Sequence, residues 1–279
     1  MIETFIRCFD CAKTSTLNPM ESMKLDFHLH DLYEIYLFQS GGVRYFIEKS
    51  SYELEPGDIL LMRPGEIHKP SFTSNETYER IVCHLPPKLF HELSTKENSL
   101  LQCYTNRLNG EKNRLNSTDD EKNKLVALFE KIILIQKYPQ LWNPQLLLAI
   151  FLEIMVKINR IFLNETRNPP SQILNRKLVP ILDYIDANLD SNLSLDFLQK
   201  KFFITGSYLC QIFKQTTGST LHEYIVYKRI TRAKHLLLKG ESAANASFKS
   251  GFSDYSNFVR AFRKVTGICP RDYLKKFIS

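Results

Sequence analysis

The sequence contains no apolar run that is long and uncharged enough to cross a membrane. Its most apolar stretch, residues 146–163, is interrupted by Glu153, Lys157 and Arg160, and charged side chains are costly at the centre of a bilayer. The first 15 residues also lack the apolar segment and cleavage pattern of a secretory signal. We therefore expect a cytoplasmic protein without a membrane partner, in which residues 146–163 form a buried helix.

The six cysteines, at positions 8, 11, 83, 103, 210 and 269, lack the spacing of a disulfide framework or a structural zinc site. Cys8 and Cys11 form a single Cys-x-x-Cys pattern, which would suit a redox pair or half of a metal site, but no second pair follows. Scattered cysteines in a chain without a secretion signal indicate reduced thiols. We therefore interpret the Cys-x-x-Cys pattern as coincidental.

The first part of the chain has no excess of positive charge, and the last part has a large one. Residues 1–170 contain 20 Lys and Arg against 22 Asp and Glu, whereas residues 171–279 contain 17 against 8. The net charge of +7 therefore originates in the C-terminal part. A basic domain favours a polyanion, because neutralised phosphates release counterions. Solubility alone would also account for such a surplus.

The basic part contains a helix-turn-helix pattern between residues 243 and 273. Gly251 predicts the left-handed end of one helix, and Ser253 or Asp254 can cap the next with a side-chain oxygen. Gly267 and Pro270 end that second helix. Its apolar face consists of Phe258, Phe262 and Val265. Its other face is polar and basic, which is typical of a helix that enters a DNA major groove.

A second copy of this pattern begins about fifty residues earlier in the printed sequence. Residues 195–201 predict a short helix, Thr205 or Ser207 can cap the next, and Gly218 ends it. The interval from Phe213 to Gly218 equals that from Phe262 to Gly267. One long amphipathic helix is predicted between the two copies, over residues 221–238.

At these residues the chain resembles the DNA-binding domain of the AraC/XylS transcription regulators. The resemblance covers residues 176–277 and implies seven helices with two helix-turn-helix units that enter successive major grooves. The matching residues are Tyr208, Leu209, Phe213, Lys214, Gly218, Arg229, Ala233, Leu236, Leu237, Gly251, Phe252, Phe258, Arg260, Phe262, Gly267, Pro270 and Tyr273.

The resemblance also implies which side chains face DNA. The base-facing positions are Ser207, Cys210 and Gln211 in the first unit and Tyr255, Ser256, Asn257 and Arg260 in the second. Gln211 is suited to adenine and Arg260 to guanine. We expect Lys214, Arg263 and Lys264 to neutralise phosphates, and Arg229 to form a structural salt bridge.

Residues 1–90 predict short strands rather than helices. The runs 35–39, 45–49, 59–62 and 78–85 are rich in β-branched and aromatic residues, and Gly- or Pro-containing turns separate them. Many short strands with this punctuation are typical of a β-barrel or sandwich.

Histidines and a glutamate cluster in this part of the sequence, at His28, His30, Glu34 and His68. On an unbroken strand the first three share one face, and the spacing resembles the two motifs of the cupins. In metal-bearing cupins such residues hold one divalent ion, and three imidazoles with a carboxylate suit Zn, Fe, Ni or Mn. The alternatives are an organic-effector pocket, with Tyr36, Arg44 and Arg63 as further candidates, and simple core packing.

From residue 119 onward, the apolar residues recur at the spacing of a helix rather than that of a strand. Residues 119–164 predict two helices, the second apolar nearly all round, which would cover the barrel and also join a second subunit. Residues 165–175 contain Pro169 and Pro170 and predict an extended linker. The expected domains are an effector-binding barrel (1–118), a helical dimerisation segment (119–164), the linker and the DNA-binding domain (176–279).

The sequence therefore predicts an α+β multidomain protein, with a cupin-like N-terminal barrel and an all-α C-terminal double helix-turn-helix domain. The resemblance implies a homodimeric transcription regulator, with activation as the working expectation. Its partners would be double-stranded promoter DNA, RNA polymerase and a small effector, such as a sugar, another metabolite or a divalent metal. The alternative from another class is a metal-dependent cupin enzyme with a helical appendage, which would leave the doubled helix-turn-helix pattern unexplained.

Overall fold

A computed structural model describes residues 5, 9–22, 27–28, 30–94, 99–138, 143–164, 172–173 and 177–278. The chain divides into two compact units. The first contains residues 1–24, 31–66 and 70–172, and the second contains residues 25–30, 67–69 and 173–279. The expected domain boundaries stay a prediction. By its contacts, the second unit also includes two short stretches from the N-terminal part of the sequence.

Eight strands form two four-stranded sheets, most of which belong to the first unit. In chain order the strands are β1 (Asp10–Thr16), β2 (Tyr33–Ser40), β3 (Val43–Ile47), β4 (Ser50–Glu53), β5 (Ile59–Met62), β6 (His68–Phe72), β7 (Tyr78–Leu85) and β8 (Gln172–Ile173). One sheet has the order β1-β7-β2-β5 and the other β6-β3-β4-β8. The two sheets do not join into a closed barrel in the described part of the chain. The expected strands at 59–62 and 78–85 are confirmed with the same bounds.

The first sheet has two different faces, because side chains alternate along each strand. Odd-numbered residues such as Ile35, Leu37 and Ile81 pack into a core with the helices of this unit. Even-numbered residues such as Tyr36 and Tyr78 pack against strands β3 and β4 of the other sheet. The even face therefore lies between the sheets, where a small-molecule site would be built.

Five helices lie among the described residues of this unit: α1 (Pro19–Ser22), α2 (Pro87–Leu93), α3 (Gln102–Thr105), α4 (Asp119–Lys137) and α5 (Pro144–Leu163). Thr118 and Glu121 form a capping box at the start of α4, and Asn143 caps α5 with its side chain. Ten residues of α5 are buried, as its apolar composition predicts. The two helices expected between residues 119 and 164 are therefore confirmed.

The expectation that all thiols are reduced is wrong for two cysteines. Cys11 on β1 and Cys83 on β7 form a disulfide. The cause is the strand register, which places these two residues directly opposite each other with their Cα atoms 4.0 Å apart. Cys8, the other half of the Cys-x-x-Cys pattern, lies outside the described residues.

The strand expected to carry His28, His30 and Glu34 on one face is interrupted. Residues 31–32 form a bend, and β2 begins only at Tyr33. The alternation that governs Glu34 and Tyr36 therefore does not extend back to the two histidines. Instead, His28 forms an isolated antiparallel bridge with His68.

Seven helices follow in residues 177–278, all in the second unit. They are α6 (Leu178–Ala187), α7 (Leu195–Phe202), α8 (Gly206–Thr217), α9 (Leu221–Leu238), α10 (Ala243–Lys249), α11 (Tyr255–Thr266) and α12 (Pro270–Ile278). The number of helices and the bounds of the long helix α9 agree with the expectations. The linker expected at 165–175 lies outside the described residues, apart from β8. Over the described ranges, no helix is both long and apolar enough to span a membrane.

Candidate nucleic-acid interface and effector site

The first candidate recognition helix is α8. Thr205 caps its start by accepting a hydrogen bond from Tyr208 N, and Gly218 ends it in the left-handed conformation. Leu209, Ile212 and Phe213 are buried on its inner side. The predicted DNA-facing residues Ser207, Cys210, Gln211 and Lys214 are all exposed. The helical spacing of apolar residues therefore gives α8 one buried apolar face and one exposed polar face.

The second candidate recognition helix, α11, also has one buried apolar face and one exposed polar face. Asp254, one of the two proposed caps, accepts a hydrogen bond from Asn257 N, and Phe258 and Phe262 are buried. The predicted residues Tyr255, Ser256, Asn257, Arg260, Arg263 and Lys264 are all exposed. Arg260 Nη2 donates to Asn257 Oδ1, so Asn257 orients the guanidinium expected to read guanine.

Arg229 holds the scaffold between the two helix-turn-helix units but does not form the expected salt bridge. Its Nε donates to Leu189 O over 2.9 Å and its Nη2 to Ser191 O over 3.0 Å. The ion pair at this place is formed by Arg232 with Asp190, over 3.1 Å. Arg229 therefore binds the backbone of the α6–α7 loop and fixes that loop to α9.

A cluster of tyrosines lies between the two sheets of the first unit. Tyr36 and Tyr78 share a hydrogen bond of 2.8 Å between their hydroxyls, and the ring centroids of Tyr36 and Tyr45 are 4.8 Å apart. All three rings are buried, and burial raises the pKa of Tyr36 well above its usual value. The phenols therefore stay neutral and can donate hydrogen bonds.

Two charged groups share this face of the first sheet. The Arg80 guanidinium lies over the Tyr78 ring, 4.9 Å from its centroid. The buried Glu34 carboxylate is 3.3 Å from His84 Nε2, and Asp10 is 3.6 Å from His84 Nδ1. The hydrogen bond with Glu34 raises the pKa of His84, against the opposing effect of burial. His84, which the sequence analysis did not single out, is therefore part of a carboxylate–imidazole group.

The three other residues expected in the pocket or metal site, His28, His30 and His68, belong to the second unit. The ring centroids of His28 and His68 are 5.9 Å apart, and those of His30 and His68 are 5.0 Å apart. His28 N and His68 N each donate to the carbonyl of the other residue. The three imidazoles thus lie close together, and neutral imidazole is a common metal ligand.

Sequence reasoning did not find Tyr45, Tyr78 and Arg80. The alternation along residues 78–85 could have shown that Tyr78 and Arg80 share a face, but the facing sheet was needed to show which face is inside. Arg44 and Arg63, the two arginines expected near the pocket, have other roles. Arg44 pairs with Glu53 over 2.6 Å, and Arg63 donates to Asn109 Oδ1 over 3.0 Å.

Two protein families match the chain. Residues 21–129 match AraC-like ligand binding domains, and residues 198–276 match helix-turn-helix domains. The uncharacterized HTH-type transcriptional regulator YdiP of Escherichia coli K12 is 27% identical over 90% of this chain and 81% of its own length. The HTH-type transcriptional activator RhaR of Mannheimia succiniciproducens is 26% identical over 90% of this chain and 88% of its own.

Among solved structures, ToxT from Vibrio cholerae matches 98% of this chain and 100% of its own, with 15% identity and a TM-score of 0.39. The curated relatives are transcription regulators, which disfavours the cupin-enzyme alternative. The chain is thus a DNA-binding transcription regulator with an effector-binding domain, and it belongs to the AraC/XylS family.

Proposed function

We propose that the chain binds a promoter through both recognition helices. The observation that carries this proposal is the sorting of α8 and α11, in which all ten predicted DNA-facing side chains are exposed while the apolar face of each helix is buried. Exposed Gln211 and Arg260 are suited to base edges in a major groove. The cations of Lys214, Arg263 and Lys264 are suited to phosphates.

The experiment compares two cations on the same helix. The full chain first selects its preferred duplex from a random pool. Arg260→Ala is expected to weaken binding to that duplex by about 1–3 kcal/mol and to relax one base position, with little effect on random DNA. Lys264→Ala is expected to weaken binding to both DNAs and to reduce the slope of log K against log salt by about one. Equal losses on both DNAs for Arg260→Ala would contradict its role in base recognition.

The effector is expected to bind between the two sheets of the first unit. Support comes from Glu34, Tyr36, Tyr78 and Arg80 on one face of the first sheet, with Tyr45 on the facing sheet. Ligand sites combine an apolar lining with a few placed polar groups in this way. A thermal-shift screen of the full chain against sugars, small acids and divalent metals tests this, because a ligand that binds only the folded state raises Tm.

The chain is expected to form a homodimer through α5. One stripe of this otherwise buried helix is exposed and apolar: Leu146 is 39%, Val156 57% and Leu163 54% exposed. Ala149, Val156 and Leu163 are spaced by seven residues, and exposed Ala149 lies on the same stripe. Apolar stripes of this kind mark protein interfaces.

The charges on the same stripe fit a second copy of α5. In an antiparallel pair with its twofold axis at Val156, Ala149 of one copy faces Leu163 of the other. Glu153 then lies within one residue of register with Arg160 of the other copy, so opposite charges approach each other across the axis, as a self-complementary isologous interface requires. Within one chain Glu153 also lies 3.4 Å from Lys157.

Sedimentation equilibrium of the full chain tests the dimer. Val156→Glu places two carboxylates at the twofold axis and is expected to raise the dimer Kd by about a hundredfold, the effect of losing an interface anchor. Leu108→Glu, at an exposed apolar residue in a loop, is the matched control and is expected to leave the Kd unchanged. A wild-type Kd for the Val156→Glu chain would show that α5 is not the interface.

RhaR is a transcriptional activator by name, and by analogy we propose activation through RNA polymerase. Transcription of a reporter by purified polymerase, with and without the chain, tests this directly.

A divalent ion remains a separate hypothesis. The His28, His30 and His68 imidazoles offer the donor type that Zn prefers. Metal analysis of the purified chain and of its His68→Ala variant tests that hypothesis.

A further inference from the structure

We infer that the effector of this regulator is an anion, namely a small carboxylic acid that also carries hydroxyl groups, and that Arg80 is its anchoring residue. The inference rests on the proposed effector site and names the chemical class that this site selects.

The first argument is the charge of Arg80. This residue lies between Tyr78 and Val82 on the face of β7 that packs toward the other sheet. Within the described ranges of the chain it forms no ion pair with a carboxylate, and it contacts the Tyr78 side chain, over whose ring it lies and with which it shares a hydrogen bond. A partly buried cation without a counter-ion is unfavourable unless an anion or water compensates it. A guanidinium is suited to a carboxylate, because its donors match the two oxygens in a bidentate arrangement.

The second argument is access to the site. Thr14 and Ala12 of β1 are paired with Arg80 and Val82, so they lie on the same face of the sheet. Both are exposed, whereas Tyr36 and Tyr78 on the neighbouring strands are buried. The β1 edge of this face is therefore open to solvent, and Arg80 lies at the boundary between the open edge and the tyrosine cluster.

The third argument is the chemistry next to the cation. The hydroxyls of Tyr36 and Tyr78 are 2.8 Å apart, so only one of them donates within the pair and the other hydroxyl hydrogen remains available. The exposed Thr14 hydroxyl lies on the open side. A carboxylate at Arg80 would place the rest of a small molecule among these hydroxyls, which suits a hydroxy acid or a sugar acid.

Titration calorimetry on the full chain tests the inference with matched pairs of probes. The acids are D-glucuronate, D-galacturonate, D-gluconate and L-lactate, and the neutral partners are D-glucose, D-galactose, sorbitol and 1,2-propanediol. At least one acid is expected to bind about tenfold or more tightly than its neutral partner, as expected for one charge-assisted hydrogen bond. Binding of no acid, or equal binding of acid and neutral partner, would overturn the inference.

Two variants link the selectivity to Arg80. Arg80→Met is expected to remove the acid preference, and Arg80→Lys to retain part of it because the positive charge remains. Arg44→Met removes an arginine that is already paired with Glu53 and is expected to preserve the preference. An unchanged preference in Arg80→Met would overturn the assignment. If that variant does not fold, an Arg80→Lys chain that binds acid exactly as wild type overturns it equally.

The outcome is separable from that of the proposed function. If a neutral sugar binds and changes the affinity for DNA, the proposed effector-controlled regulator is supported and only the inference of an anionic effector is contradicted. A chain that selects no duplex from the random pool would contradict the proposed function, whatever the calorimetry shows.

Discussion

Gly251 lies so close to Leu189 that a β-carbon on Gly251 would be 1.9 Å from the Leu189 carbonyl oxygen. The same oxygen accepts the hydrogen bond from Arg229 Nε. The turn of the second helix-turn-helix unit is therefore packed directly on the α6–α7 loop, and Arg229 fixes that loop to α9. Any side chain at residue 251 would push the turn away from the α6–α7 loop and from α9.

Gly251→Ala is expected to destabilise the second unit by about 4 kcal/mol or more, because a backbone clash adds to a left-handed backbone. Gly240→Ala is a matched control, since φ is +90° at Gly240 and +93° at Gly251 but nothing lies within 4 Å of a β-carbon on Gly240. The control is expected to cost only about 1–2 kcal/mol. Urea unfolding followed by far-UV circular dichroism measures both, and equal costs would contradict the packing argument.

Lys69 is expected to stabilise the junction between α8 and α9. It is buried in the second unit, and its ammonium donates to Gly218 O over 2.7 Å and to Ser219 Oγ over 2.6 Å. A cation at the C-terminal end of α8 also interacts favourably with the helix dipole. Lys69→Met is expected to cost about 1–3 kcal/mol and to speed amide exchange in residues 214–224.

The exposed Lys88 provides the control for Lys69. Lys88→Met is expected to change neither the unfolding free energy nor the exchange of residues 214–224, because surface substitutions rarely exceed about 0.5 kcal/mol. If Lys69→Met behaved like Lys88→Met, the two hydrogen bonds would contribute nothing to this junction.

His84 is expected to make the stability of the first unit depend on pH. Its hydrogen bond with Glu34 raises its folded pKa above the ordinary value of 6.5. The protonated imidazole therefore stabilises the fold fully below the unfolded pKa, and this contribution is lost as pH rises through the folded pKa. The free energy of unfolding changes by at most about 1.4 kcal/mol per pH unit for one proton. Urea unfolding of wild type and His84→Gln between pH 5 and 9 measures it, and the difference between them should shrink as pH rises.

Loss of the Cys11–Cys83 disulfide is expected to cost about 2–4 kcal/mol, because the cross-link restrains the unfolded chain between residues 72 positions apart. Cys83→Ser, or wild type with a reductant, should therefore unfold at lower urea concentration. Cys210→Ser, at an exposed free thiol, should unfold as wild type does. Alkylation of the denatured chain should count two more thiols after reduction, and an equal count would show that the bond is absent.

Local signals in the sequence determined most of the secondary structure. Cap residues, glycines and apolar periods act over a few neighbouring residues, so α9 and the strand at 78–85 could be predicted with their exact bounds. The same periods separated the exposed face of each recognition helix from its buried face. The expected DNA-facing side chains follow from that separation together with the family resemblance, and their role in DNA binding stays a prediction.

Tertiary structure decided which distant residues meet. The register of β1 on β7 paired Cys11 with Cys83, against the expectation of free thiols. The bend at residues 31–32 removed the common face expected for His28, His30 and Glu34. Arg80 became a candidate ligand anchor only when the facing sheet showed which side of β7 is inside. Such contacts depend on strand pairing and sheet packing across long separations, and short-range sequence patterns do not encode them.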